Sequence, residues 1–472
     1  MPAMKHRRVE PAVLAIDLGT SSVRSALFDE NARAIPGSRA SVEYRVRHFA
    51  DHGAELNPAL LLGATTKCLR LTKSPIQTVA GSGFWHSLLG LDRTGIPLTP
   101  IYTWADARCA ADAASLRDRL DERTIQQRTG CMLRASFWPA KLLWLRRTEP
   151  KLFRRVARWV SPAEWIFEEL FRIRACSHSM ASGTGLYDFA AQDWDRELLE
   201  FTGLTTSQLN PLHDQVATIF PAIGDGAASN LGSGASAPGI VAINVGTSAA
   251  VRAIPAPGTP LPFGLFRFVV DQRRALLGGA VSNAGNLRAW CLRELRLAPN
   301  DRKIEQLLRA SGESASRLTI LPFWVGERAP TWPDTLDSVI VGLTQATTAA
   351  DLLHATTAAV CHRLAEIFER LENTLGEVNR VVVSGGILQS PASLQILANS
   401  LGRDLVTCAD QEASLRGAAV RALEQSGRKV PSPKCAHRIR HDQKQFVQAQ
   451  AERRRQMQLE EFFSARALST NS

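Results

Sequence analysis

Two stretches of the chain share one pattern of apolar and polar positions. "VLAIDLGTSSVRSALFD" (13–29) and "IVAINVGTSAAVRAIP" (240–255) each run apolar, pass one polar residue, reach Gly-Thr-Ser and turn apolar again. Strand-length apolar segments on both sides of such a turn predict two β-hairpins. Asp17, Gly19, Thr20 and Ser21 of the first correspond to Asn244, Gly246, Thr247 and Ser248 of the second. A further strand is predicted in "TVAGSGFW" (78–85), and helical spacing marks "KLLWLRRTEPKLFRRV" from Lys141. The same spacing marks "DLLHATTAAVCHRLAEIFERLENTL" (351–375), after which the strand "VNRVVVSGG" meets a glycine turn and a helix at "SPASLQILANSLG". The closing "CAHRIRHDQKQFVQAQAERRRQMQLEEFF" predicts one or two surface helices. Strands alternating with helices make the class α/β.

The two hairpins lie too far apart for a solenoid repeat and suit two related domains. The Ser- and Gly-rich stretch "GDGAASNLGSGASAPG" (224–239) supplies the turn-forming boundary, giving domains 1–233 and 234–472. A chain of 472 residues also exceeds one ordinary core. Composition adds that it is globular, at 45% hydrophobic and 21% charged. No apolar run has the length of a membrane span, and the short basic start with no apolar core behind it leads us to expect no signal peptide. The eight cysteines are scattered without a Cys-x-x-Cys pair, so reduced thiols and a cytoplasmic location are expected. The net charge of +11 lies in scattered arginines and a basic tail. A nucleic-acid partner would want a basic face with aromatic or motif support, and none is expected. Cys435, His437 and His441 fall short of a zinc set and read as surface residues.

The chemistry concentrates at the turns. There is no Walker-type loop, and no Gly-x-Gly-x-x-Gly opens a helix after the first strand. Glycine allows close backbone approach to an anion, and successive N–H groups with hydroxyl donors make an anion-binding concavity. Gly19–Ser21 and Gly246–Ser248 therefore read as phosphate turns, with Asp17 placed to reach magnesium directly or through its waters. The same residues also serve ordinary hairpin turns, as Gly385 and Gly386 serve a plain strand-to-helix turn. The occurrence of two matching copies favours phosphate.

In these motifs the chain resembles the FGGY carbohydrate kinases of the sugar kinase, Hsp70 and actin superfamily. The resemblance runs through "AIDLGTSSVR", "FWHSLLGLDRTGIPLTPIYTWADAR", "PAKLLWLR", "ASGTGLYDFAAQDWD", "GDGAASNLGSG", "INVGTSAAVR", "LPFWVGERAPTW", "VVVSGGILQSP" and "EASLRGAA", in that order. It implies two actin-like (ribonuclease H-like) domains around a central cleft, with sugar held by the first and ATP by the second. It implies that Gly19, Thr20 and Ser21 face the γ-phosphate, that Asp17 assists Mg2+, and that Gly246, Thr247 and Ser248 embrace the outer phosphates. Asn244 then lacks a charge because a carboxylate there would repel the triphosphate. Gly385 and Gly386 fall beside the adenosine. Asp225 of "GDGAASN" matches the catalytic aspartate that accepts the proton of the attacking hydroxyl, although Asp-Gly is also a common turn. Trp85 and His86 match the sugar-contacting pair, Trp104 and Asp106 join them, and Trp85 is equally suited to core packing. Lys141 and Arg134 are candidates to meet an acidic substrate.

The motifs are most similar to the gluconokinase branch, which implies phosphorylation of D-gluconate at its terminal hydroxyl, with xylulose or another pentulose or polyol as the alternative acceptor. The expected partners are the small-molecule sugar or sugar acid and ATP, with no membrane and with a homodimer entertained as the assembly. Three departures stand against the pattern. The stretch between "LNPLHDQVATIF" and "PAIGDG" is short, so the strand leading to Asp225 is expected to be lost. "PDTLDSVIVGL" replaces a usual Arg-Gly element, and Ser177 stands where relatives carry Asp. These motivate an alternative of another class, a catalytically impaired nucleotide-binding regulatory protein.

Overall fold

The first hairpin forms where the apolar pattern places it, Val13–Leu18 pairing antiparallel with Ser22–Phe28. Val79–Gly83 lies parallel to its first strand, and Ile219–Gly224 lies parallel to Val79–Gly83. With Ala40–Glu43 beyond Ser22–Phe28, these make a five-stranded sheet. The strand before Asp225, expected to be lost, is therefore present. Its signal is masked by Pro221, which cannot donate to a ladder and is tolerated at sheet edges and bulges. Ile219–Gly224 is the edge strand, and its register shifts between Phe220 and Ile223, around the proline.

The stretch 224–239, read as the turn-forming boundary, begins with the helix Asp225–Gly232. Small residues let this helix lie very close to the helix Ala413–Gln425: a Cβ on Gly232 would overlap the Ala413 carbonyl, and one on Gly417 the Ala228 carbonyl. The run from Lys141 is two helices, Trp138–Thr148 and Pro150–Arg155, because Pro150 cannot continue the first and is well suited to start the second.

The second hairpin, Ile240–Val245 with Ala249–Ala253, sits inside a seven-stranded sheet. Arg380–Ser384 lies parallel to Ile240–Val245, and Leu405–Cys408 and Cys435–Ile439 follow. The helix Ala349–Leu375 starts at a capping box of Thr348 and Asp351 and ends at Gly376. Its Leu364, Ile367 and Leu371 pack with Val241, Ile243 and Val383 into one core. The basic closing segment, expected as one or two surface helices, holds one helix preceded by a strand. Cys435–Ile439 is a strand, and Gln443–Thr470 is one helix that buries Gln456 and Glu460. Glu460 accepts from the buried Arg363 at 2.6 Å, which is why so charged a segment still docks.

The computed structural model describes residues 12–72, 78–297, 301–310, 317–333, 336–408 and 412–470. It divides into two compact units. The first comprises Met1–Gly234, Arg267–Leu276 and Glu412–Ser432; the second comprises Ala235–Phe266, Leu277–Gln411 and Pro433–Ser472. The chain thus returns to the first unit twice after residue 234. Among the described residues no helix is long and apolar enough to cross a membrane. The eight cysteines are free thiols, all but Cys435 buried.

Candidate active site

In the first unit the Gly19–Ser21 turn is held from three sides. Gly19 N donates to Ser22 O at 2.9 Å, and the Tyr44 hydroxyl donates to Gly19 O. Trp104 Nε1 donates to Thr20 Oγ1 at 3.2 Å, while Ser21 is exposed. Asp17, at the end of the strand before the turn, is 1% exposed. It stands in register with Arg24 on one side and Ser82 on the other, and both donate to its carboxylate. Sequence reasoning did not single out Arg24, although it closes the motif "AIDLGTSSVR". Its guanidinium also donates to Glu412 Oε2 at 3.0 Å. The Asp17 carboxylate raises the Arg24 pKa against the opposing effect of burial, with Glu412 and Asp225 adding to the rise.

This arrangement tests the metal assignment. Both Asp17 oxygens already accept, the carboxylate is enclosed, and no group of three or more His, Cys, Asp or Glu that could hold a metal occurs among the described residues. Asp17 does not fit as a direct magnesium ligand.

Asp225 is the first residue of its helix, where a carboxylate is favoured by the helix dipole, and it accepts from Gly226 N at 2.8 Å. Just before it, Gly224 lies against Trp85: a Cβ there would overlap the indole, as would one on Gly183. Trp85 is 5% exposed and donates through Nε1 to Ser179 O at 2.9 Å, so it is a packed wall. Phe268 packs against it at a tilt of 51°, ring centroids 4.6 Å apart, a partner from a distant segment that no local pattern reveals. His86 is half-buried at φ 67°, bonded through Nδ1 to the Gly183 carbonyl and edge-on to Phe137 at 4.8 Å. Trp104 N donates to Ser87 Oγ at 3.1 Å, so this residue links the Trp85–His86 segment to the phosphate turn.

Three candidate side chains are engaged within the protein itself. Asp106 is 1% exposed and accepts from Ala54 N at 3.0 Å and from Arg108 Nε at 3.1 Å; it shapes a loop and offers nothing to a ligand. Lys141 is 1% exposed and donates to the carbonyls of Ala135 and Ser136 at 2.6 and 2.8 Å, burial lowering its pKa. Arg134 is paired with Glu122 at 3.0 Å. Ser177 has its own task, capping the helix His178–Ser182 and donating to Ala222 O at 2.6 Å. Residues 334–335 of the "PDTLDSVIVGL" departure lie outside the described residues.

In the second unit, Gly246 N donates to Ser248 O at 2.9 Å, and the helix Gly285–Glu294 starts against the turn. Gly285 N donates to Gly246 O at 2.9 Å and Asn286 N to Thr247 O at 3.1 Å, leaving Thr247 exposed. Gly385, at φ 92°, lies so close to Val245 that a Cβ would overlap its carbonyl. Gly385, Gly386 and the Gly246–Ser248 turn are thereby brought together around the end of one strand. Asn244 Nδ2 donates to Ser384 Oγ at 3.0 Å, the counterpart of Asp17 with Ser82.

Comparison with known proteins identifies the family. The N-terminal domain model of the FGGY family of carbohydrate kinases matches residues 12–251, and the C-terminal domain model matches residues 241–425. The chain is 27% identical to a gluconokinase of Bacillus subtilis over 455 residues, covering 88% of each chain. It is 23% identical to a xylulose kinase of Staphylococcus xylosus, covering 86% of this chain and 89% of that one. A crystal structure of gluconate kinase from Lactobacillus acidophilus superposes with a TM-score of 0.86 at 23% identity, covering 96% of this chain and 98% of that one. That likeness fixes the fold as the actin-like α/β fold of the sugar kinases.

Proposed function

The chain belongs to the FGGY family of carbohydrate kinases and is a sugar-kinase phosphotransferase, and from that premise we propose that it transfers the γ-phosphoryl group of ATP to the terminal hydroxyl of D-gluconate. The observation that carries the choice of acceptor is the match to gluconokinases of two Bacillus species, at 27% and 26% identity over 88% of this chain. In this reading Gly246, Thr247, Ser248, Gly385 and Gly386 hold the nucleotide, where close backbone approach is needed. Gly19, Thr20 and Ser21 meet the transferred phosphoryl group through backbone N–H groups and hydroxyls. His86 and Trp104 meet the sugar acid, with Trp85 as the wall behind them.

Asp225 takes the proton. The acceptor oxygen forms a bond to the γ-phosphorus, the bond to the ADP oxygen breaks, and the hydroxyl proton passes to the Asp225 carboxylate. A divalent cation would arrive with the phosphates of the nucleotide, and Asp17, held by Arg24 and Ser82, would meet it through its waters. Free thiols favour a reducing, cytoplasmic setting. Of the three departures that motivate the impaired regulatory reading, the one next to Asp225 is answered, since Ile219–Gly224 supplies the strand.

The test is ATP turnover with D-gluconate, D-xylulose and glycerol, for wild type beside Asp225→Asn. D-gluconate should give the highest kcat/KM, and the variant should lose about 10²–10⁴-fold in kcat while binding ATP as wild type does. Preference for D-xylulose or glycerol would overturn the acceptor, and an active Asp225→Asn the role of the base.

A further inference from the structure

Glu412 comes from a part of the chain remote from the first hairpin, yet it belongs to the first unit and its carboxylate meets two arginines there. One oxygen accepts from Arg24 at 3.0 Å, and the other pairs with Arg39, which is 56% exposed. Arg24 in turn holds Asp17, and its Nε is buried with no hydrogen-bond partner. The guanidinium is thus fixed in its plane by two carboxylates arriving from different elements. A single ion pair to Asp17 would leave it free to swing about that contact.

The element that carries Glu412 matters as much as the contact. Glu412 is the residue before the helix Ala413–Gln425, which packs backbone to backbone on the helix that Asp225 begins. Arg416 of the same helix donates to Gly232 O, at the end of the Asp225 helix, at 2.8 Å. Glu412 therefore joins the helix pair that sets Asp225 to the strand that follows the Gly19–Ser21 turn. We infer that Glu412 is a positioning residue of the transfer step, holding the Arg24 guanidinium in fixed relation to the Gly19–Ser21 turn and Asp225.

The inference rests on the kinase reading above, and its test separates the two. In Glu412→Gln, which keeps size and an acceptor oxygen but loses the charge, kcat should fall on the order of tenfold, with KM for ATP and acceptor within about twofold of wild type. Glu412→Asp should recover part of the loss. Arg39→Ala, which removes the exposed partner only, should leave kcat within about twofold. Phenylglyoxal modification of Arg24, followed by peptide mass mapping, should run several-fold faster in Glu412→Gln at an unchanged thermal midpoint. That readout needs no turnover. Wild type inactive on the whole acceptor panel would sink the kinase reading and the catalytic half of the inference, while the modification rate would still decide whether Glu412 anchors Arg24. An unchanged kcat, an equal loss in Arg39→Ala, or an unchanged modification rate would each overturn the inference.

Discussion

Gly224 stands between Trp85, the proposed wall of the acceptor site, and Asp225, the proposed base, and it has no room for a side chain. A Cβ there would overlap the Trp85 indole, which is itself pinned by its bond to Ser179 O and by Phe268. Gly224→Ala should push the indole out of place, costing about 1–3 kcal/mol as overpacked cores do. It should raise KM for the acceptor and leave ATP affinity alone; urea unfolding and steady-state kinetics on one preparation check both halves. A variant with wild-type acceptor KM would show that Trp85 has no part in the site. The two Gly-Thr-Ser turns were legible because glycine, hydroxyls and flanking apolar runs are local signals. Their difference was not. Leu18 pairs with Val23, but Val245 pairs with Ala249, so the second loop is one residue shorter. Asp17 consequently faces Arg24, whereas Asn244 faces Ala250. A carboxylate at 244 would lack the cation that steadies Asp17, a simpler reason for Asn than repulsion of phosphate. Asp106 misled for a related reason, since "TWADAR" does not reveal that backbone and arginine already saturate its oxygens.

At the scale of elements, sequence pattern located the strands and helices that obey one period and missed those where a proline or a charge run hides it. Pro221 hid an edge strand, and the arginines and glutamines of Gln443–Thr470 hid a docked face. The helix Pro162–Phe171 shows what a buried cap adds. Its Ser161 and Glu164 form a capping box, with Ser161 N donating to Glu164 Oε2 at 2.7 Å and Asn210 Nδ2 to Oε1 at 3.1 Å. Burial pushes the Glu164 carboxyl from the usual 4.5 up to about 7. Between those values the folded chain holds a proton that the unfolded chain has released. The stabilisation from this group is therefore complete below about pH 4.5 and is lost as pH rises through 7. Glu164→Gln keeps the box, since glutamine serves at that position, and removes the titration. Relative to the variant, wild type should lose on the order of 3 kcal/mol between pH 4.5 and 8, read from urea midpoints at both ends. Parallel pH profiles for the two proteins would refute the assignment.

At the scale of the molecule, the first unit is completed by residues synthesised long after its hairpin. Glu412–Ser432 returns to it, and the element that returns is buried. Arg421, 1% exposed, donates to Pro221 O at 2.9 Å, on the edge strand that leads to Asp225. It also pairs with Asp214 at 2.9 Å. No period or motif announces such a return, because the contact joins segments about as far apart as the two hairpins. It explains why "EASLRGAA" carries an acid, an arginine and small residues together: Glu412 reaches Arg24, Arg416 caps the Asp225 helix, and Gly417 admits that helix to close range. A buried pair of this kind is costly to break from one side, since the remaining charge is stranded out of water. Arg421→Met should lose about 3–5 kcal/mol. Adding Asp214→Asn should restore part of the loss, because the stranded carboxylate is then gone. Urea unfolding of wild type, the single variant and the double variant measures the coupling. Equal stability of the single and double variants would mean that Arg421 serves the Pro221 carbonyl alone, and that its ion pair does nothing to bind the returning segment to the strand beneath Asp225.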